Sequence, residues 1–349
     1  MPMLLKRSEL VAALDAVKGG VAQKAFSPIL THVLIEGDTV LSFDSEIGVK
    51  VKLSTPIMGK FNARFDMLYN LLKSLDGEDV AIEVDGTKVR VQCGRHRSFL
   101  QQIAEDFPRP QIVGAGGWNP VPPGFKEALE RVLLGVHESE QEKLLSCVML
   151  DGATLQSHNR AVCVVCTLPD MRAPQALLSR KAVTELIRLG QPTRFAIAGP
   201  WSIWDYGNLT FLARLREGAT EFPKLPELMT RFKLDERVMG PVPDGLMGAL
   251  TRLSLFCGVE KQTIMRPGSN EGGSWTELVS QNEQGTAEEM LDDVDGVADK
   301  RFNPDMLNKA LVYASGISWG TTTTDPIYIV GEVAGLQYLL SPMRPGVAA

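Results

Sequence analysis

What this 349-residue sequence lacks narrows its chemistry first. Its five cysteines, Cys93, Cys147, Cys163, Cys166 and Cys257, are odd in number and scattered, so they form no disulfide framework and suit a reducing cytoplasm. Its four histidines, His32, His96, His137 and His158, share no metal-ligand spacing. No apolar run approaches the roughly 20 residues that cross a bilayer, and Met1 to Arg7 lacks the zoning of a signal peptide, so no membrane partner is expected. Phosphate-cradling GxxxxGK[ST] and GxGxxG loops are missing too. Asp292, Asp293 and Asp295 lack the glycine and closing glutamate of a calcium loop. Cys163-Val164-Val165-Cys166 has redox or zinc spacing, but it sits in an apolar stretch with no second Cys/His pair, which reads as structural. His158 and Cys163 are close in sequence without a glycine elbow or oxyanion turn. No catalytic residue, metal or cofactor is therefore expected. Excess positive charge is absent as well: the net charge of -6 excludes a surface that binds nucleic acid all over. A local basic patch remains compatible with it, because screening limits charge effects to roughly 8 Å at physiological salt.

What is present is a repeat. Ala13-Leu14, Ala128-Leu129 and Ala249-Leu250 begin equivalent helical stretches, and Lys73, Arg188 and Lys309 each follow a leucine (Leu71, Leu186, Leu307) by two residues. Between the first two copies a single offset of 115 aligns Val33, Gly37, Thr39, Ser42, Val49 and Leu53 with Val148, Gly152, Thr154, Ser157, Val164 and Leu168. The same offset aligns Phe107-Pro108 with Phe222-Pro223. The second and third copies agree at Pro120 to Gly124 and Pro241 to Gly245, each followed by a helix in which Arg131 matches Arg252; the middle of the third copy has drifted. A repeat this long is a domain rather than a solenoid unit. The Pro/Gly-rich stretches mark boundaries, giving domains 1–120, 121–237 and 238–349.

Each copy reads as helix, strands, helix, strands. Phe125, Leu129, Val132 and Val136 recur at helical spacing, and Ser8 is the expected N-cap before Leu10, Leu14 and Val17. Strand-length runs fall at 32–36, 49–53, 80–84 and 88–92, and again at 147–150, 162–166, 194–197 and 209–215. Gly37-Asp38 and Asp85-Gly86 are hairpin turns. Second helices are expected at 65–75, 179–189 and 303–313. The class is α+β, and joining such domains sheet to sheet would bring the helices onto one surface. Lys73, Arg188 and Lys309 would lie there, with Lys18, Lys126, Arg131, Lys181 and Arg252 as neighbours. The acidic run from Glu283 to Asp299 reads as a solvated loop or edge.

These features resemble the bacterial DNA polymerase III beta subunit, the replicative sliding clamp. The resemblance rests on Ser27-Pro28-Ile29-Leu30 and Ala104-Glu105-Asp106-Phe107-Pro108 in the first copy. It rests on Ser179 to Leu186 and Glu221-Phe222-Pro223 in the second, and on Tyr338-Leu339-Leu340-Ser341-Pro342-Met343-Arg344 in the third. It implies three DNA-clamp domains per chain and a head-to-tail homodimer closed as a six-domain ring, with helices lining the hole and sheets outside. Such a ring is a processivity factor that encircles double-stranded DNA without reading its sequence. Lys24, Lys73, Arg180, Lys181, Arg188, Arg252 and Lys309 would face the DNA. Replicative polymerase and clamp loader would insert a short hydrophobic peptide into a pocket of Leu145, Val162, Pro223, Leu228, Leu340, Pro342, Met343 and Arg344. Phe107 of one chain would meet Leu255 and Phe256 of the other.

The chain also departs from the family. Its threonine-aspartate-glycine-histidine-arginine-leucine segment becomes Ser157-His158-Asn159-Arg160-Ala161-Val162, with the register open by about one residue. Glu227 stands where arginine is common, and five residues follow Arg344. A phage-encoded clamp with a different partner peptide would account for this. Two other classes stay open at this point: a β-rich structural or assembly protein of a phage, and a hydrolase using Cys163 and His158.

Overall fold

The computed structural model describes residues 3–24, 26–110, 117–232, 234–270, 273–292 and 299–343. The first repeat runs β1 (Met3–Lys6), α1 (Arg7–Val17), β2 (His32–Glu36), β3 (Thr39–Phe43), β4 (Ile47–Lys52), β5 (Lys60–Arg64), α2 (Phe65–Ser74), β6 (Asp79–Asp85), β7 (Lys88–Cys93), β8 (His96–Gln101). The second runs β9 (Asn119–Pro120), α3 (Phe125–Val132), β10 (Cys147–Gly152), β11 (Thr154–His158), β12 (Val162–Thr167), β13 (Ala173–Ser179), α4 (Arg180–Leu189), β14 (Arg194–Ala198), β15 (Trp201–Asp205), β16 (Leu209–Arg214). After α5 (Leu225–Arg231), the third runs α6 (Leu246–Ser254), β17 (Thr263–Asn270), β18 (Gly273–Asn282), β19 (Gly285–Asp292), β20 (Lys300–Phe302), α7 (Pro304–Leu311), β21 (Gly316–Ser318), β22 (Ile327–Gly331), β23 (Leu336–Leu340). From its first helix onward the third copy thus keeps the element order of the other two, although its middle no longer aligns by residue.

Matched residues do matched work. Ser42 Oγ donates to the Val17 carbonyl at 2.6 Å, and Ser157 Oγ donates to the Val132 carbonyl. Each closes the end of its repeat's first helix, where carbonyls lack intrahelical partners. The glycine beyond each helix lets the serine in: a Cβ on Gly20 or Gly135 would collide with that hydroxyl. The third repeat uses a buried network instead, in which Thr263 and Ser280 hydroxyls lie 2.7 Å apart beside the Cys257 thiol. The domain-boundary glycines Gly124 and Gly245 take φ values of 81° and 78° just before α3 and α6, a conformation that favours glycine.

Ser8 is not the N-cap. It lies inside α1, and the Glu78 carboxylate does the capping from outside, accepting from the Ser8 amide at 3.1 Å and from its hydroxyl. A carboxylate also suits the positive end of the helix dipole. Those two hydrogen bonds are the main reason its carboxyl titrates below the ordinary value. Val136 is buried as expected, but it follows a tight turn rather than continuing α3.

All strand pairings among the described residues are antiparallel. The largest sheet has the order β5-β2-β3-β4-β16-β15-β14-β9, and a second has β13-β10-β11-β12-β23-β22-β21. In each, the front half of one repeat meets the back half of the next, through β4 with β16 (Val49 opposite Phe211) and β12 with β23 (Val164 opposite Tyr338). Two four-stranded sheets remain, β1-β6-β7-β8 from the first repeat and β19-β18-β17-β20 from the third. Within the acidic run, β19 is an edge strand, where charge discourages uncontrolled pairing. The chain divides into two compact units, Met1–Val121 with Thr184–Leu215, and Pro122–Val183 with Arg216–Ala349.

Candidate nucleic-acid interface and partner pocket

In the first unit the basic residues gather at the end of α1. The Tyr69 hydroxyl on α2 donates to the Asp15 carboxylate at 2.6 Å, Lys73 Nζ donates to the Tyr69 hydroxyl at 3.3 Å, and Lys18 Nζ lies 3.6 Å from Asp15. Lys73 also stands 4.9 Å above the Tyr69 ring, a cation–π arrangement. The tyrosine hydrogen bond holds the Asp15 carboxyl below its ordinary titration, helped by Lys18 and Lys73 against partial burial.

Arg188, on α4, is used differently from Lys73. Its Nη1 donates to the Asp15 carbonyl at 3.1 Å and its Nη2 to the Ala16 carbonyl at 2.7 Å, so it caps α1 in trans. The rest of its fork grips the buried Glu185 carboxylate, with Nε to Oε2 at 2.8 Å. That pairing raises its pKa further. Gly19 makes room, since a Cβ there would run into the Glu185 carboxylate. Lys18, Lys73 and Arg188 thus share one neighbourhood, with the two lysines exposed.

The other basic residues differ in exposure and partners. Lys24 and Lys309 are exposed. Arg180 is half-buried, its Nη1 donating to the Val136 carbonyl at 3.1 Å, and Lys181 is half-buried beside it. Arg252 is exposed but held by both oxygens of Glu289 at 2.5 and 2.8 Å. Arg131, expected beside this surface, is buried: its guanidinium lies 5.0 Å from the Tyr313 ring centre, and Nε and Nη1 have no hydrogen-bond partner among the described residues.

The apolar site lies in the second unit. Strand alternation sends His158, Cys163, Leu339 and Tyr328 to one face of the sheet as consecutive cross-strand neighbours. On that face Cys147, Met149, Val165, Leu177, Tyr328 and Leu339 pack against Phe222, Leu225 and Met229, the last two from α5. Leu144, Cys163, Leu228, Met239 and Val330 stay partly exposed around this cluster. Of the expected pocket residues, Leu228 borders this cluster, Pro223 is exposed, and Pro342 and Met343 are half-buried. Leu145 is buried, and Met343 is tied by its amide to the Arg301 carbonyl at 2.7 Å. Arg344 lies outside the described residues.

Val162 and Leu340 oppose each other across β12 and β23 and are buried on the other face, the side on which the Tyr338 hydroxyl donates to the Met306 carbonyl at 2.9 Å. Their neighbours Cys163 and Leu339 lie on the face of Leu228, because alternate residues of a strand point to opposite faces.

The same alternation sends Cys163 and Cys166 to opposite faces, against a CxxC centre. Cys163 does stand opposite His158, but burial pushes its thiol up to about 11 and pushes the imidazole below its ordinary value. A nucleophile–base pair needs an easily formed thiolate, so both shifts run the wrong way. Among the described residues no group of His, Cys, Asp and Glu could hold a metal ion.

Of the expected contact residues, Phe107 packs partly buried against Phe43, Trp201, Ile203 and Leu212, beside an open cavity of about 340 Å³. Leu255 is 76% exposed at the end of α6, and Phe256 is half-buried.

The comparisons with known proteins agree with this geometry. Residues 1–111 match the family described as DNA polymerase III beta subunit, N-terminal domain. The beta sliding clamp of Haemophilus influenzae is 23% identical over 261 residues, 66% of this chain and 68% of that protein. The Thermotoga maritima DNA polymerase III beta subunit superposes with a TM-score of 0.81 at 18% identity, covering 98% of this chain and 99% of its own. A Pseudomonas aeruginosa sliding clamp bound to griselimycin gives 0.79 at 20% identity and 99% of both chains. The N-terminal repeat thus matches the DNA polymerase III beta subunit family directly, and the whole length shares the fold of the solved beta subunits.

Proposed function

We propose that this chain is a sliding clamp, two copies of which close head to tail into a ring of six domains, three per chain at 1–120, 121–237 and 238–349, around double-stranded DNA. The observation that carries this is the pair of leftover half-sheets. At both internal joins the last strand of one front half, β4 or β12, pairs with the last strand of the next back half, β16 or β23. The unpaired counterparts are β19 at one end of the repeat series and β8 at the other. Extending the rule sets β19 of one copy against β8 of its partner, and the reciprocal join closes the ring. Both edges carry an exposed apolar side chain, Met290 at 67% and Phe99 at 58%. Phe107 against Leu255 and Phe256 would add to this contact.

Lys24, Lys73, Arg180, Lys181, Arg252 and Lys309 are then the residues that face DNA, with Lys18 beside Lys73. Flexible lysines hold phosphates through water and exchange easily, so the ring slides while topology keeps it on the duplex. Arg188 and Glu185 brace the helices that carry the lysines. The face beneath α5, around Leu228, Cys163 and Leu339, would take a short apolar peptide from polymerase or clamp loader. A partly covered apolar surface with few polar groups suits such a segment. The first test is solution mass: a particle of two chains is expected, and a stable monomer or trimer at working concentration overturns the six-domain ring.

A further inference from the structure

One carboxylate stands among the lysines of the first unit, in a place that the helix bearing it does not favour. Asp15 lies in the last turn of α1, at the negative end of the helix dipole, and no basic residue lies within that turn. Arg188 closes the same helix end from α4, through backbone carbonyls and not through the Asp15 side chain. A negative charge on a surface that meets phosphates also repels its ligand. Helix stability and attraction to DNA both argue against Asp15, yet its side chain is firmly held. The Tyr69 hydroxyl donates to it at 2.6 Å, Lys18 Nζ lies 3.6 Å away, and Lys73 reaches it through that hydroxyl at 3.3 Å. The Tyr69 ring is fixed in turn by Phe65, stacked with 5.3 Å between ring centres.

We propose that Asp15 sets how firmly this surface grips DNA, by occupying Lys18 and Lys73 when no phosphate is near and competing for them when one is. This rests on the reading of the two lysines as DNA-facing and adds the element that loosens their hold. Asp15 is a positioning residue: it touches the lysines and not the DNA. To reach a phosphate, Lys18 must leave the carboxylate, and Lys73 must leave the hydroxyl that ties it there. Giving up an exposed ion pair of this kind weakens binding by a factor of about two to five. The same carboxylate receives the lysines as they leave a phosphate, which lowers the barrier to the next step along the duplex. Arg188 takes no part in the exchange, since its fork is committed to Glu185 and the α1 carbonyls.

The test is a cycle of four proteins on a labelled linear duplex, where topology does not hold the protein and equilibrium binding reports the surface itself. The full-length chain, Asp15→Asn, Lys18→Met with Lys73→Met, and the triple variant are compared by fluorescence anisotropy between about 25 and 200 mM salt. Asparagine keeps an oxygen that accepts from the Tyr69 hydroxyl, so the local packing is retained. Asp15→Asn should bind about two- to fivefold more tightly at low salt. It should also steepen the logarithmic salt dependence by up to about 0.9, the value of one further phosphate neutralised. With both lysines removed, the same substitution should lose at least half of this gain. An affinity that is unchanged or weakened in Asp15→Asn, while the lysine variant binds less, overturns the role of Asp15 and leaves the DNA-facing surface standing. A gain that survives by more than half without the lysines overturns it too, because Asp15 would then act only as one negative charge in the field of the DNA. Binding by the lysine variant equal to that of the unsubstituted chain overturns both readings.

Discussion

Lys73 and Arg188 hold matching positions in the second helices of two repeats, yet Lys73 is exposed over a tyrosine ring while Arg188 is wired into the end of α1. Arg131 and Arg252 match in the first helices and part just as far: one is buried on Tyr313, the other is exposed and gripped by Glu289. The repeat fixes where the backbone presents a basic residue. What that residue does depends on which carbonyl, carboxylate or ring the next element brings up. The apolar face beneath α5 extends the contrast. There the repeat supplies the sheet, while α5 and Phe222 pack over one face of it.

The strongest way to separate the two regions is Leu228→Asp. A carboxylate forced into the apolar cluster should weaken peptide binding by about 100-fold or more. The solution mass of two chains should be unchanged, and loss of both peptide binding and the two-chain particle would show that the regions are not independent. Next, Arg188→Ala should lower unfolding stability by about 1–3 kcal/mol in a denaturant titration, because it strands the buried Glu185 carboxylate and two helix-end carbonyls. Lys73→Glu with Lys309→Glu should leave stability nearly unchanged and weaken equilibrium binding to linear DNA, where topology does not hold the protein. It should also flatten the salt dependence, by about 0.9 in logarithmic slope for each phosphate the ring no longer neutralises. If Arg188→Ala acts like the lysine pair, releasing DNA at unchanged stability, the distinction between brace and DNA-facing residue fails.

Much of the fold was legible in the sequence because period and punctuation carry it. The strand at 32–36 is reproduced residue for residue, and the three second helices agree within two residues. Gly37 and Gly86 sit in the hairpin turns expected of them. Ser42 and Ser157 matched by offset and proved to close the same helix end. Long-range partners were not legible. Nothing local to Ser8 announces that Glu78 will cap its helix from 70 residues away. Nothing local to Arg131 announces Tyr313. The expected pocket residues Val162 and Leu228 fall on opposite faces of one sheet, a division that motif likeness does not convey and strand alternation does. His158, seen first as a doubtful base for Cys163, proved to be its cross-strand neighbour with neither group ionised to suit that chemistry.

The central claim is that this chain holds DNA by enclosing it. The clamp is loaded onto nicked circular DNA by a clamp loader, washed at high salt, and divided, with one half linearised by a restriction enzyme. Enclosure predicts that the circular sample keeps its protein through the wash, because topology is insensitive to screening, while the linearised sample loses it by sliding off the ends. Equal loss from circle and line would contradict the ring.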